Sequence, residues 1–105
     1  MSVQQSYDEA NKTLNLKFTG RLDFASHQVF SDAYQSQATK SVDHYVLNME
    51  ELTYLDSSAL GMLLLLKDYA ANDAKISIVN CIPDVYKIFE IANFDQLFTI
   101  QRIAE

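Results

Sequence analysis

At 105 residues with 49% hydrophobic side chains, the chain has the length and apolar content of one compact domain spanning 1–105. Eight Lys and Arg against fourteen Asp and Glu leave a formal charge of −6, with no basic cluster, which excludes nucleic acid and anionic membranes as expected partners. A single cysteine, Cys81, rules out an internal disulfide framework, and with no basic segment leading into an apolar run a cytoplasmic protein is expected.

In chain order, Val3 to Tyr7 and Thr13 to Phe18 read as strands joined by the polar break Asp8-Glu9-Ala10-Asn11, a hairpin. Gly20 is expected to end the second strand. Asp23 is placed to cap a helix over about 24–38, where Ala25, Val29, Phe30, Ala33 and Tyr34 recur at helical spacing. His44 to Met49 is apolar on both faces, as in a strand covered on more than one side. The apolar run Ala59 to Leu66 is far short of the roughly 20 residues that cross a bilayer and belongs to a core helix. Lys75 to Asn80 is β-branched and strand-like; Pro83 suits the first position of a helix carrying Val85, Ile88, Phe89 and Ala92. Asn93 can close that helix in a left-handed turn, and Leu97 to Ile100 forms a last strand. Short connections and strand-helix alternation predict an α/β fold: a mixed sheet of about five strands with about three helices, the leading hairpin antiparallel and the rest parallel.

The stretch Asp56-Ser57-Ser58 precedes the most apolar helix of the chain. Its plain reading is a cap, because side-chain oxygens there satisfy amides with no intrahelical partner. At about 100° per residue, a core stripe of Ala59, Met62, Leu66 and Tyr69 leaves Leu60 and Leu64 on the outward side with Ser57, Gly61, Lys67, Asp68 and Ala71. Ser58 turns to the flank or interior. Ser57 is then an exposed hydroxyl at one end of a leucine patch, a pattern that suggests docking. The competing reading buries both leucines under a neighbouring element, with Gly61 permitting close packing inside the domain or against a partner. Other chemistry lacks its parts. His27 and His44 come with no Gly-x-Ser-x-Gly elbow, the single cysteine and separated histidines offer no ligand spacing for a metal, and two glycines cannot build a phosphate loop. No cofactor and no enzyme activity are expected. Phe89, Phe94 and Phe98 read as core, and the aromatic-rich interior gives no sign of a ligand cavity.

Asp56-Ser57-Ser58-Ala59-Leu60-Gly61, together with Gly20-Arg21-Leu22-Asp23 and the strand Tyr45-Val46-Leu47-Asn48-Met49, resembles the sulfate-transporter and anti-sigma-factor-antagonist (STAS) domain over essentially the whole chain. Ala59 stands where the family usually has glycine, and Asn48 where an aspartate is common; the alanine is expected to add a methyl beside the site. The resemblance implies a phosphorylation-switched binding module. Ser57 would be phosphorylated by an anti-sigma factor that is also a serine kinase of the GHKL type and restored by a PP2C-type phosphatase. The unmodified form would sequester the anti-sigma factor and so release a sigma factor or other regulator. Asp23, Asn48, Asp56 and Ser58 would surround the phosphosite, while Arg21, Leu60, Gly61, Leu64, Lys67, Asp68 and Ile82 would contact the partner, the protein acting as a monomer. The alternative is a non-phosphorylated STAS scaffold that binds a transport ATPase in lipid trafficking.

Overall fold

A computed structural model describes residues 1–36 and 40–104. Its elements are β1 (Ser2–Asp8), β2 (Thr13–Leu22), a 3-10 turn (Phe24–Ser26), α1 (His27–Gln35), β3 (His44–Leu55), α2 (Ser57–Tyr69), β4 (Lys75–Cys81), α3 (Pro83–Ile91), a second 3-10 turn (Phe94–Gln96) and β5 (Thr99–Arg102). The five strands lie in the order β1-β2-β3-β4-β5, with β1 antiparallel to β2 and every later pair parallel. Each crossover steps to the next strand in the same direction, and right-handed connections of that kind put all three helices on one face of the sheet. Burial follows. Leu14, Leu16 and Phe18 of β2 and Tyr45, Leu47 and Met49 of β3 are buried beneath the helices, while Asn15, Lys17, Val46 and Asn48 alternate to the open face.

Several expectations are revised. Gly20 does not end β2: its φ of +96° lets the strand pass through an irregularity, stitched by the Thr53 hydroxyl donating to the Gly20 carbonyl at 3.1 Å, and pairing continues to Leu22. The first helix opens as a 3-10 turn and becomes α-helical only at His27. Ala25 and Val29 are exposed while Ser26 is buried, and the expected positions 37 and 38 lie outside the described residues. β3 runs on to Leu55, six residues beyond the expected end, because β2 supplies its partner after β4 leaves at the Asn48–Val79 pair. The last strand begins at Thr99 rather than Leu97, since the turn Phe94–Gln96 consumes the intervening chain. Asn93 is left-handed with φ of 58°, as expected at a helix end, and Phe89, Phe94 and Phe98 stack successively at 5.8 and 5.4 Å.

On α2 the buried residues are Ala59, Met62, Leu63 and Leu66; Tyr69, expected in the core, is exposed and tilts its ring against Tyr34 at 5.2 Å. Leucines two positions apart in the same run therefore have opposite fates, Leu63 being 0% and Leu65 50% exposed. Leu63→Ala is expected to cost about 3 kcal/mol in denaturant unfolding and Leu65→Ala less than about 0.5 kcal/mol. Equal losses would mean that the helix is rotated from this orientation.

Candidate docking and modification site

The site is built where β2 and β3 stop. Their last parallel pair is Leu22–Leu55, so Asp23 and Asp56 are the next residues on two adjacent strands, and each leads into a helical turn. Both backbones are extended at that point, Asp56 with φ of −119° and Asp23 with φ of −136°, which turns the chain from strand to helix. The Asp56 carboxylate accepts the Ala59 amide at 3.2 Å and the Ser58 hydroxyl at 2.6 Å. The Ser58 bond is the chief reason the carboxyl is held below its ordinary pKa; burial opposes it, and the backbone amides add to the lowering. Ser58 is thus spent on the cap. Ser57 is exposed, and among the described residues no hydrogen bond engages its side chain. At Asp23 the Ser26 hydroxyl lies 3.3 Å from the carboxylate and 3.1 Å from the Arg21 carbonyl, closing that turn locally.

Along α2, Leu64 is 40% exposed, Gly61 is open, and Leu60 is half-buried and packed against the core. A Cβ built on Gly61 meets no atom within 4 Å, so close packing inside the domain does not explain this glycine. Lys67 and Asp68 are exposed but sit about 15 Å further along the helix axis than Ser57. Leu65 belongs to the same exposed patch and escaped the sequence reading. The wheel that turns Leu64 outward also places Leu65 about 80° from Ser57, and that signal was available.

The remaining expected residues fall outside this patch. Arg21 and Tyr54 alternate with the buried Leu22 and Leu55, so they point away from the helical layer; the guanidinium lies 3.9 Å from the Tyr54 ring centre. Asn48 occupies the last β3–β4 pair on the open face. Its side-chain oxygen accepts the Glu50 amide at 3.0 Å and the Asn80 side-chain amide at 3.3 Å, a tie between strand ends for which an amide oxygen serves without a charge. Ile82 starts α3 and is half-buried against the core. Ala59 is fully buried, so its methyl fills the interior rather than the space beside the exposed hydroxyl. Phe24, 76% exposed directly after Asp23 and stacked on His27, is an apolar side chain at this rim that the helical spacing did not single out.

Among the described residues no group of His, Cys, Asp and Glu could hold a metal ion, and no helix is long and apolar enough to cross a membrane. Cys81 is buried, which pushes its thiol up to about 12 and keeps it protonated. His44 shares a 2.8 Å hydrogen bond with Ser77 on the open face, and among the described residues no carboxylate bonds its ring.

Residues 4–104 match the STAS domain family. A STAS-domain containing protein of Pseudomonas aeruginosa (strain UCBPP-PA14) is 52% identical over 88 residues, which is 83% of this chain and 86% of the relative. An anti-sigma factor antagonist from Mycobacterium paratuberculosis superposes with a TM-score of 0.80 at 14% identity, covering 95% of this chain and 86% of its own. The Bacillus cell fate determinant SpoIIAA in its phosphorylated form gives 0.68 at 20% identity, covering 94% and 90%.

Because the folded pKa of Asp56 is depressed, the stability it lends is complete above the ordinary carboxylate pKa and is lost as pH falls through the lower folded value. The melting temperature of Asp56→Asn should therefore lie below that of the parent by a constant interval at neutral pH. That interval should shrink once acid protonates Asp56. A difference independent of pH down to pH 2 would contradict a charged cap.

Proposed function

Since the chain belongs to the STAS-domain family, we propose that it is an anti-sigma factor antagonist whose binding is switched by phosphorylation of Ser57. The observation that carries this reading is the division of labour between two adjacent serines: Ser58 is bound to the capping carboxylate, whereas Ser57 is free and exposed beside the Leu64–Leu65 patch. A kinase needs a reachable hydroxyl, and a partner needs an apolar surface to cover. The same few residues offer both. The names of the Mycobacterium paratuberculosis and Bacillus neighbours, an anti-sigma factor antagonist and a determinant with a phosphorylated form, agree with this reading.

The unmodified protein docks Leu64, Leu65 and the edge of Leu60 against an anti-sigma factor, with Gly61 allowing the partner to approach the helix backbone. Addition of phosphate puts about −1.5 to −2 charges at the rim of this surface. The helix dipole favours an anion there, but the Ala59 amide is already taken by Asp56, whose carboxylate is ionised, and Asp23 adjoins it across the sheet. Arg21, two residues before Asp23, is turned to the other face against Tyr54, and Lys67 lies about 15 Å further along the helix. The phosphate therefore stays hydrated, and docking would have to strip water from a dianion beside two carboxylates. The switch acts by desolvation and repulsion at the interface, with the fold unchanged. A GHKL-type serine kinase that is itself the anti-sigma factor adds the phosphate and a PP2C-type phosphatase removes it. Constitutive use of the same face to bind a transport ATPase is the second reading, and an exposed Ser57 that does no structural work favours the switched one.

Affinity capture of the unmodified protein identifies the partner, and binding is then measured to Ser57→Ala, Ser57→Asp and Gly61→Ala. Ser57→Ala should bind like the parent and Ser57→Asp at least about tenfold more weakly, a difference of about 1.4 kcal/mol. Gly61→Ala should raise helix stability by about 1 kcal/mol while weakening binding, because nothing inside the domain opposes the methyl. Equal affinities for the two Ser57 variants would end the switch, and unchanged binding by Gly61→Ala would move the interface off this helix.

A further inference from the structure

At the end of the domain opposite Ser57, an open cleft of about 460 Å³ lies where α1 and α2 finish, walled by Tyr34, Tyr45 and Tyr69 with Asp43 and Asp73 at its rim. Such a volume is in the range of small-molecule sites, and it opens at the surface rather than inside the aromatic core. Tyr34 and Tyr45 are 6% and 4% exposed, yet neither phenol has a hydrogen-bond partner among the described residues. Among the described residues no side-chain oxygen is both enclosed and unpaired, so these two hydroxyls keep some contact with solvent, and both tyrosines line the cleft. The Tyr34 and Tyr69 rings lie 5.2 Å apart, and Tyr45 is pushed above its ordinary pKa first by burial and then by Tyr69 and Tyr34.

Carboxylates outnumber cations around the cleft, Asp43 and Asp73 against Lys40. α1 and α2 end beside it, at Gln35 and Tyr69, each the negative end of a helix dipole. α1 has no basic residue in its last turn, and Lys67, the one in α2, lines a different cleft with Ala74 and Leu97. Lys40 is at the rim, but its ammonium is engaged elsewhere, 3.8 Å from the Glu9 carboxylate and over the Tyr7 ring. Aromatic faces, phenol oxygens with no partner among the described residues and two carboxylates select for positive charge carried on an apolar body.

We propose that the Tyr34–Tyr45–Tyr69 cleft binds a small organic cation of the alkylammonium or quaternary ammonium class, which makes this domain a ligand-binding as well as a protein-docking module. This site shares no residue with the Ser57 surface, so either can fail without the other. The test titrates tetramethylammonium, and in parallel its uncharged counterpart tert-butanol, while following the ring resonances of the three tyrosines and the amide spectrum by NMR. Tetramethylammonium should give saturable shifts confined to the three rings and to residues 71–73, and tert-butanol at equal concentration should not. Asp43→Asn combined with Asp73→Asn, at two exposed positions, should weaken binding by about threefold or more, and Tyr69→Leu should weaken it further. Equal shifts with tert-butanol or sodium chloride, no saturable shift, or full affinity in the paired aspartate variant would overturn the proposal.

Discussion

The final parallel pair, Leu22 beside Leu55, is the constraint on which the rest of this molecule depends. Two strands that end in register hand over to two helical turns at the same edge of the sheet, so residues 33 positions apart in sequence, Asp23 and Asp56, become neighbours. Each strand needs a polar residue to turn its chain, and each aspartate makes a local bond to a serine three or two residues on. The geometry of the sheet therefore gathers negative charge at one point, and Ser57 is the first helical residue beyond it.

The helix that follows serves two masters with one composition. Its apolar residues surround nearly the whole circumference, and only the sheet decides which count as core: Ala59, Met62, Leu63 and Leu66 fill the interior while Leu64 and Leu65 remain in water. A helix apolar all round is ordinarily buried all round. Here the outward leucines cost solubility, and Gly61 among them forgoes helix stability that an alanine would supply with no steric objection. Both departures from a stable, soluble surface fall on one side of α2, next to a hydroxyl that the fold does not use. That coincidence is what a docking surface predicts and what a capped core helix does not require.

Much of this was readable from residue order. Alternation of strand and helix patterns prescribes the parallel crossovers, and the sheet order follows from short connections; the Asp56 cap, the left-handed Asn93 and the outward Leu64 follow from local chemistry. What was not readable was long-range. Gly20 looks like a strand terminator because glycine punctuates most strands, but Thr53 on β3 holds the strand together through it. The extension of β3 to Leu55 depends on a partner strand 30 residues earlier, and the exposure of Tyr69 on the packing of its ring against Tyr34. Arg21, close to Asp23 in sequence, faces the other side of the sheet because of the pleat and stacks on Tyr54, a contact that no local pattern announces. The tyrosine cleft was invisible for the same reason: its walls come from α1, β3 and α2, and its carboxylates, Asp43 and Asp73, from two separate connections.

The central claim is that charge at one exposed hydroxyl governs whether neighbouring leucines can be covered, without refolding the domain. Its most direct test is a comparison of the unmodified protein with phosphoprotein whose modification at Ser57 is verified by mass spectrometry, measured by calorimetric titration with the captured partner and by amide NMR. The account predicts an affinity lower by tenfold or more, about 1.4 kcal/mol, and amide shifts limited to residues around the start of α2 and the adjoining Asp23 turn. Undiminished affinity, or shifts spreading through the sheet and α3, would contradict it.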